Sequence, residues 1–170
     1  MRVLDLLPVL LESWDKQAQI IANLTGLINE ENRHFLPSPD GWPLDEQLRH
    51  INMVRSEWLK EVAPAEQEGL QMLYVKRDGK WIALEDLELI KSELKKSAAA
   101  VRRATESAIL SGEPKQSAYA HPLLYMQHMI WHEGWHAGLI MLALRVNGQE
   151  TTEQWEEANI WGLWRTENWE

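Results

Sequence analysis

Apolar residues recur at steps of three and four along most of the chain, which is the periodicity of an amphipathic helix. The first such stretch covers about residues 5–29, and its stripe includes Leu7, Leu11 and Trp14, with Asp5 placed to cap its start. A second begins near Pro43, a good first-turn residue, and ends before Pro64. Both patterns predict helices that bury one face.

The same pattern predicts three further helices. A third covers about residues 85–110 and ends at Gly112, and a fourth runs from near Pro122 to about Val146, closed by Asn147-Gly148. Thr151-x-x-Gln154 resembles a capping box and predicts a short fifth helix over about residues 152–165.

The stretch between the second and third helices is less regular. Tyr74-Val75 and Trp81-Ile82 flank Asp78-Gly79, which is typical of a short β-hairpin. A surface loop is the alternative. Four long helices and a short fifth predict an all-α four-helix bundle, with residues 1–170 forming one domain.

Composition narrows the classes of function. The formal net charge is −9, and an acidic surface repels phosphate backbones, so we expect no nucleic-acid partner. The sequence has no cysteine and no uncharged apolar run of about 18 residues. It also lacks a signal-peptide pattern at its start. We therefore expect a cytoplasmic protein without a membrane partner.

Tryptophan is unusually frequent, with ten residues against a single phenylalanine. The sequence predicts that most of them fill the core, although indoles can also line a ligand cavity.

The fourth predicted helix carries histidines at positions 128, 132 and 136. Residues four apart lie on one side of a helix, about 6 Å apart between Cβ atoms, so two imidazoles can reach one metal ion. Gln127, Gly134, Gly138 and Arg145 cluster on the opposite side. We therefore expect the histidines to face the bundle interior, where they need polar partners. A metal ion satisfies that need, and so does a hydrogen-bonded histidine network.

His50 of the second helix borders that helix's apolar face. If the second helix packs beside the fourth in a bundle, His50 can lie close to His132 and His136. The sequence thus predicts one divalent metal ion on these three residues. Imidazole ligands suit Zn²⁺, Ni²⁺ and Fe²⁺ alike. Taken alone, His50 is more typical of a half-exposed surface histidine than of a metal ligand.

Two groups of residues resemble a known family. The first is Gly41-Trp42-Pro43-Leu44-x3-Leu48-x-His50-Ile51, and the second is His132-x3-His136-x-Gly138-x-Ile140 followed by Leu144-Arg145-x-Asn147-Gly148. Together with the helix order they resemble the DinB/YfiT-like family of metalloproteins. Leu139 stands where that family commonly has glutamine, which leaves the histidines intact but removes one polar group.

The resemblance implies a four-helix bundle with three histidine ligands and at least one open coordination position. It also implies a homodimer. Relatives include thiol-dependent S-transferases and an isomerase that uses a low-molecular-weight thiol, so a metal-dependent enzyme of thiol S-transferase or hydrolase type is the function implied. A non-catalytic bundle that binds a ligand or partner, with a structural or sensing metal, is the alternative.

Two neighbours of the metal-binding histidines are further candidates. Glu133 is a candidate catalytic base on metal-bound water or a hydrogen-bond partner of a ligand histidine, and the alternative is a salt-bridged glutamate. His128 is expected to line the cavity or to be an ordinary histidine. Trp131 and Trp135 are expected in the core, or else at the cavity wall.

His132-Glu133-x-x-His136 also matches the His-Glu-x-x-His signature of zinc proteases. In that interpretation Glu133 is the base and Glu156 or Glu157 supplies the third ligand. Such proteases bind peptide along a sheet edge that precedes the helix, and the sequence predicts no such sheet.

Overall fold

The computed structural model describes residues 3–112 and 118–166. Four long helices form the bundle, α1 (Val3–Gly26), α2 (Leu44–Val62), α4 (Leu87–Ser111) and α5 (Pro122–Val146). A single turn, α3 (Pro64–Gln67), follows α2. Helix α1 packs against α4 and α5, and α2 packs against α4 and α5. The predicted all-α bundle is confirmed.

The ends of the helices are set by capping residues that can be recognised in the sequence. Asp86 accepts a hydrogen bond from Leu89 N (3.0 Å) at the start of α4, and Gly112 ends that helix with φ +71°. At the start of α5, His121 Nδ1 accepts from Leu123 N (3.1 Å) and Pro122 occupies the first turn. These contacts define both ends of α4 and the start of α5, the helix that carries His128, His132 and His136.

The hairpin is present. Strand β1 (Tyr74–Arg77) pairs antiparallel with β2 (Lys80–Ala83), and Arg77 faces Lys80 across the turn. Asp78 and Gly79 both have positive φ, +50° and +79°, which a two-residue turn of this kind requires. The Tyr74 hydroxyl donates to Glu46 Oε1 (2.6 Å) and ties the hairpin to α2.

The C-terminal helix differs from the regular one predicted over 152–165. One α-helical turn, α6 (Glu153–Glu156), continues as a π-helix (Glu157–Trp161) and then as a 3₁₀ turn (Gly162–Trp164). The predicted cap is wrong by one residue, because Thr152 Oγ1 accepts from Trp155 N (3.2 Å). The Thr151 hydroxyl instead donates to Glu156 Oε1 (2.6 Å).

A polar layer separates two apolar clusters in the core. One cluster contains Ile28, Leu48 and Ile140, and the other contains Trp14, Leu59 and Met129. Along each long helix the residues between the clusters are polar and buried: Gln17, Arg55, Ser97 and Glu133.

The expectation that the tryptophans fill the core is wrong for most of them. Among the described tryptophans only Trp14 is fully buried, at 1% exposure. Two are half-buried, Trp58 and Trp155, and the rest are exposed: Trp42, Trp81, Trp131, Trp135, Trp161 and Trp164. Trp169 lies outside the described part. The predicted cap of α1 at Asp5 is wrong, because that helix begins at Val3.

Within the described ranges, none of the helices is both long and apolar enough to cross a membrane.

Candidate metal site

Two histidines one turn apart on α5 face each other at close range. The Nε2 atoms of His132 and His136 are 3.2 Å apart, and their ring centroids are 4.6 Å apart. His136 is buried and His132 is half-buried. Two nitrogens bound to one tetrahedral ion by bonds of about 2.0–2.1 Å lie about 3.3 Å apart. The pair therefore has the spacing of two ligands of a single ion.

His50, which lies on α2, is close to both of these histidines. Its ring centroid lies 5.2 Å from that of His132 and 5.0 Å from that of His136. One nitrogen from each ring lies within 4.8 Å of the other two, a geometry that can hold a metal ion. The sequence predicted that these two distant segments meet, and the structure places them together. We call His50, His132 and His136 the histidine cluster.

Gln47 sets the proton position on His136. Its amide nitrogen donates to Trp42 O (3.2 Å), which leaves its Oε1 facing His136 Nδ1 in a hydrogen bond. An acceptor at Nδ1 requires the proton on that nitrogen, so the lone pair of His136 Nε2 points at the cluster. Orientation of a ligand histidine through its second nitrogen is typical of metal sites. Gln47 was not predicted as part of the site, although the sequence places it one helical turn before His50.

Trp42 forms an apolar wall over the cluster. Its ring lies edge-on to His50 with centroids 4.9 Å apart, and stacks on His136 at 6.5 Å. A close approach in the preceding loop fixes its position, since a Cβ on Gly41 would lie 2.7 Å from Pro37 Cγ. A side chain at position 41 would therefore clash with Pro37. The tight loop places Trp42, the next residue, against the histidines.

Burial keeps the imidazoles neutral. Desolvation, followed by the nearby histidines, lowers the pKa of His132 to about 4 and that of His136 to about 3. Desolvation also lowers the pKa of His50, against an opposing effect of Glu46. Near neutral pH all three rings are therefore uncharged and have a lone pair to offer.

His128 lies beside the cluster. Its Nδ1 shares a 2.7 Å hydrogen bond with the Tyr119 hydroxyl, and its ring lies edge-on to His132 with centroids 6.5 Å apart. Trp58 packs against it at 6.0 Å. These contacts hold His128 next to the histidine cluster, and its expected place at a cavity wall stays a prediction.

Glu133 is not placed as a catalytic base. Its Oε1 and Oε2 accept from Arg55 Nε (2.6 Å) and Nη2 (2.7 Å), and the two side chains are 0% and 1% exposed. Successive helix positions point in different directions, so Glu133 enters the polar layer of the core while His132 faces the cluster. The salt-bridged alternative is the one that the structure shows.

The protease interpretation has no geometric support either. Glu156 bonds Thr151, and Glu157 pairs with Arg165, so each of the two suggested third ligands is engaged elsewhere. In the described ranges the sheet is limited to the two strands of the hairpin.

Trp131 and Trp135 face solvent, at 69% and 62% exposure, with their rings stacked on each other. The expectation that they lie in the core is wrong. On the helix wheel both indoles lie on the side of Gln127 and Arg145, opposite the histidines, but the size and apolar character of tryptophan favoured the core.

A model of the DinB family matches residues 1–161. No curated protein and no solved structure matches the chain.

Proposed function

Because the chain belongs to the DinB family, we propose that it binds one divalent metal ion on His50, His132 and His136, and that this metal serves a reaction of a small molecule. The observation that carries the proposal is the convergence of three neutral imidazoles from α2 and α5 within 4.8 Å. Three nitrogen ligands suit Zn²⁺, Ni²⁺ or Fe²⁺.

An open coordination position favours a reactive metal over a structural one. Structural zinc sites use four protein ligands, whereas catalytic sites use three and leave a position for water or substrate. Within the described residues, the group that can hold an ion contains only the three histidines. His50 and His132 are half-buried, so a small ligand can approach them.

The reaction class that follows is transfer or hydrolysis with a low-molecular-weight thiol or water as the nucleophile. A bound metal ion would lower the pKa of such a thiol or water. The chain's own residues supply the rest. Gln47 fixes the tautomer of His136, and Trp42 shields one side of the cluster from solvent.

The test is elemental analysis of the purified full chain beside two ligand variants. We expect about one equivalent of metal in the wild type and a strong loss in His50→Ala and His136→Ala, since each removes one of three ligands. His34→Ala, at an exposed loop position, is the control and should load normally. Full loading of His50→Ala would refute this ligand set.

A spectroscopic measurement tests whether the bound metal has an open coordination position. The visible absorption of the Co²⁺-loaded chain should change when a small thiol is added, because the thiol enters the coordination shell. An unchanged spectrum would indicate a closed, structural metal.

The role of Gln47 gives a second prediction. Gln47→Ala removes the acceptor for His136 Nδ1–H, and we expect metal binding about 10–100-fold weaker, as for other groups that orient ligand histidines. Gln47→Glu keeps an acceptor at that position and should bind metal at least as tightly as wild type. Competition titration with a chelating dye measures both. Equal affinities for wild type and Gln47→Ala would contradict this role.

A further inference from the structure

A groove runs between α1 and α4, whereas the histidine cluster lies on α2 and α5. The groove has a volume of about 570 Å³, and small-molecule sites usually have volumes of about 300–1,000 Å³. Its lining extends along α4 from Lys91 to Arg102, a length of about 16 Å at a rise of 1.5 Å per residue. The groove therefore has room for a small molecule with an elongated body.

The walls and base of the groove are apolar. The walls carry small residues from both helices: Ala18, Ala22 and Gly26 on α1, and Ala98 and Ala99 on α4. A Cβ added to Gly26 would meet no atom within 4 Å. Larger side chains form the base, and these are Trp14, Ile21 and Leu94, at 1%, 2% and 5% exposure. An apolar chain or ring in the groove would therefore leave water for an apolar surface.

The charges that line the groove are mostly positive, although the chain as a whole has a net charge of −9. The described lining contains one carboxylate, Asp15, and the cationic residues Arg55, Lys91, Lys95 and Arg102. Glu133 balances Arg55, and Asp15 pairs with Arg102 at 3.1 Å. The remaining positive charge belongs to the two lysines of α4.

Lys91 and Lys95 are one helical turn apart on the same wall. Two like charges at this spacing destabilise a helix. Lys91 pairs with Glu88 at the surface (3.1 Å), whereas Lys95 has no hydrogen bond or ion pair with any residue that the structure describes. Asp15 lies towards the other end of the groove, beside Arg102. An anionic group next to the lysines would therefore balance a charge that the described side chains leave uncompensated.

We propose that this groove binds an organic anion with an apolar body, of the class of a medium-chain carboxylate. The carboxylate pairs with Lys95, and Lys91 is one turn away. The apolar body lies along the groove over Trp14 and Ile21. Charge selects this occupant, because an organic cation would be repelled by the lysines and a neutral molecule would leave Lys95 without a partner. The site lies apart from the histidine cluster and does not depend on the proposed metal.

Titration calorimetry with dodecanoate, below its micelle-forming concentration, tests the charge selection. We expect saturable binding with a negative heat-capacity change, because apolar surface is buried. Dodecyltrimethylammonium has the same chain and the opposite charge, and it should bind at least ~10-fold more weakly. Lys95→Glu should weaken dodecanoate binding at least ~10-fold, since it removes a charge-assisted hydrogen bond. Lys76→Glu changes the net charge equally but lies on β1, and it should bind dodecanoate as wild type does.

Filling the groove tests its position. Ala22 is exposed and lines the groove, so Ala22→Trp should abolish binding, whereas Ala65→Trp, at an exposed position on α3, should not. Circular dichroism confirms that the variants are folded. His136→Ala should bind dodecanoate as wild type does, and a loss of binding in that variant would place the carboxylate on a metal and overturn the proposal. So would absence of binding to the wild type, equal affinity for the two amphiphiles, or unchanged affinity in Lys95→Glu.

Discussion

Replacing Glu133 with alanine is expected to lower the free energy of unfolding by about 3–5 kcal/mol. The substitution leaves the Arg55 guanidinium charged and buried without a counter-ion. The expected loss is a large part of the total stability of an ordinary domain.

The surroundings of Arg55 show why no other group replaces the carboxylate. Its remaining hydrogen bonds go to Leu94 O (2.7 Å) and Ser97 Oγ (3.3 Å), which are neutral acceptors. The guanidinium also lies over the Trp14 ring, 5.4 Å from its centroid. These contacts position Arg55 but carry no negative charge, so among the described residues Glu133 is its counter-ion.

Urea unfolding of wild type and Glu133→Ala measures the effect. Glu66→Ala is the matched control, because it breaks the Arg103–Glu66 ion pair at the surface, where such pairs contribute at most about 1 kcal/mol. The double variant Arg55→Met/Glu133→Leu should recover much of the stability, since it removes both charges. A loss below about 1 kcal/mol in Glu133→Ala would contradict a structural ion pair.

The Arg55–Glu133 ion pair could not be predicted from the sequence. Arg55 and Glu133 are 78 positions apart, and each alone fits an ordinary exposed charge on its helix. The motif around Glu133 suggested catalysis because His132 and His136 flank it. Only the rotation of α5 in the bundle shows that the glutamate points into the core while the histidines point to the cluster.

Features with local causes were predictable. Pro122 and Asn147-Gly148 gave the bounds of α5, and Asp78-Gly79 gave the hairpin turn. The meeting of His50 with His132 followed from two helix faces and from the family resemblance. Gln47 was missed because its role depends on which side-chain atom faces His136, and spacing does not contain that information.

The prediction that Trp131 and Trp135 lie in the core was wrong for a different reason. Tryptophan is large and mostly apolar, so its residue type alone favours a buried position. In α5 one side packs in the bundle and the other side, with Trp131 and Trp135, remains outside. The helix wheel, which places both indoles on the side of Gln127 and Arg145, was the better guide to their exposure than residue type.

Metal binding should stabilise the folded chain strongly. Zn²⁺ at about 100 times its dissociation constant is expected to raise the free energy of unfolding by about 2.7 kcal/mol. For a domain of this size that corresponds to a melting temperature higher by about 5–10 °C. The physical reason is that folding brings His50 of α2 to the two histidines of α5. The unfolded chain offers no such convergence.

His50→Ala is the decisive variant in that measurement. His132 and His136 are four residues apart and can share an ion whenever that one helical turn forms, even without the bundle. His50 reaches the ion only through packing of α2 on α5. Thermal melts with and without Zn²⁺ should therefore show a much smaller rise for His50→Ala, and an unchanged rise for His34→Ala. A rise in His50→Ala equal to that of wild type would mean that the metal binds α5 alone, and the function proposed for the cluster would fail with it.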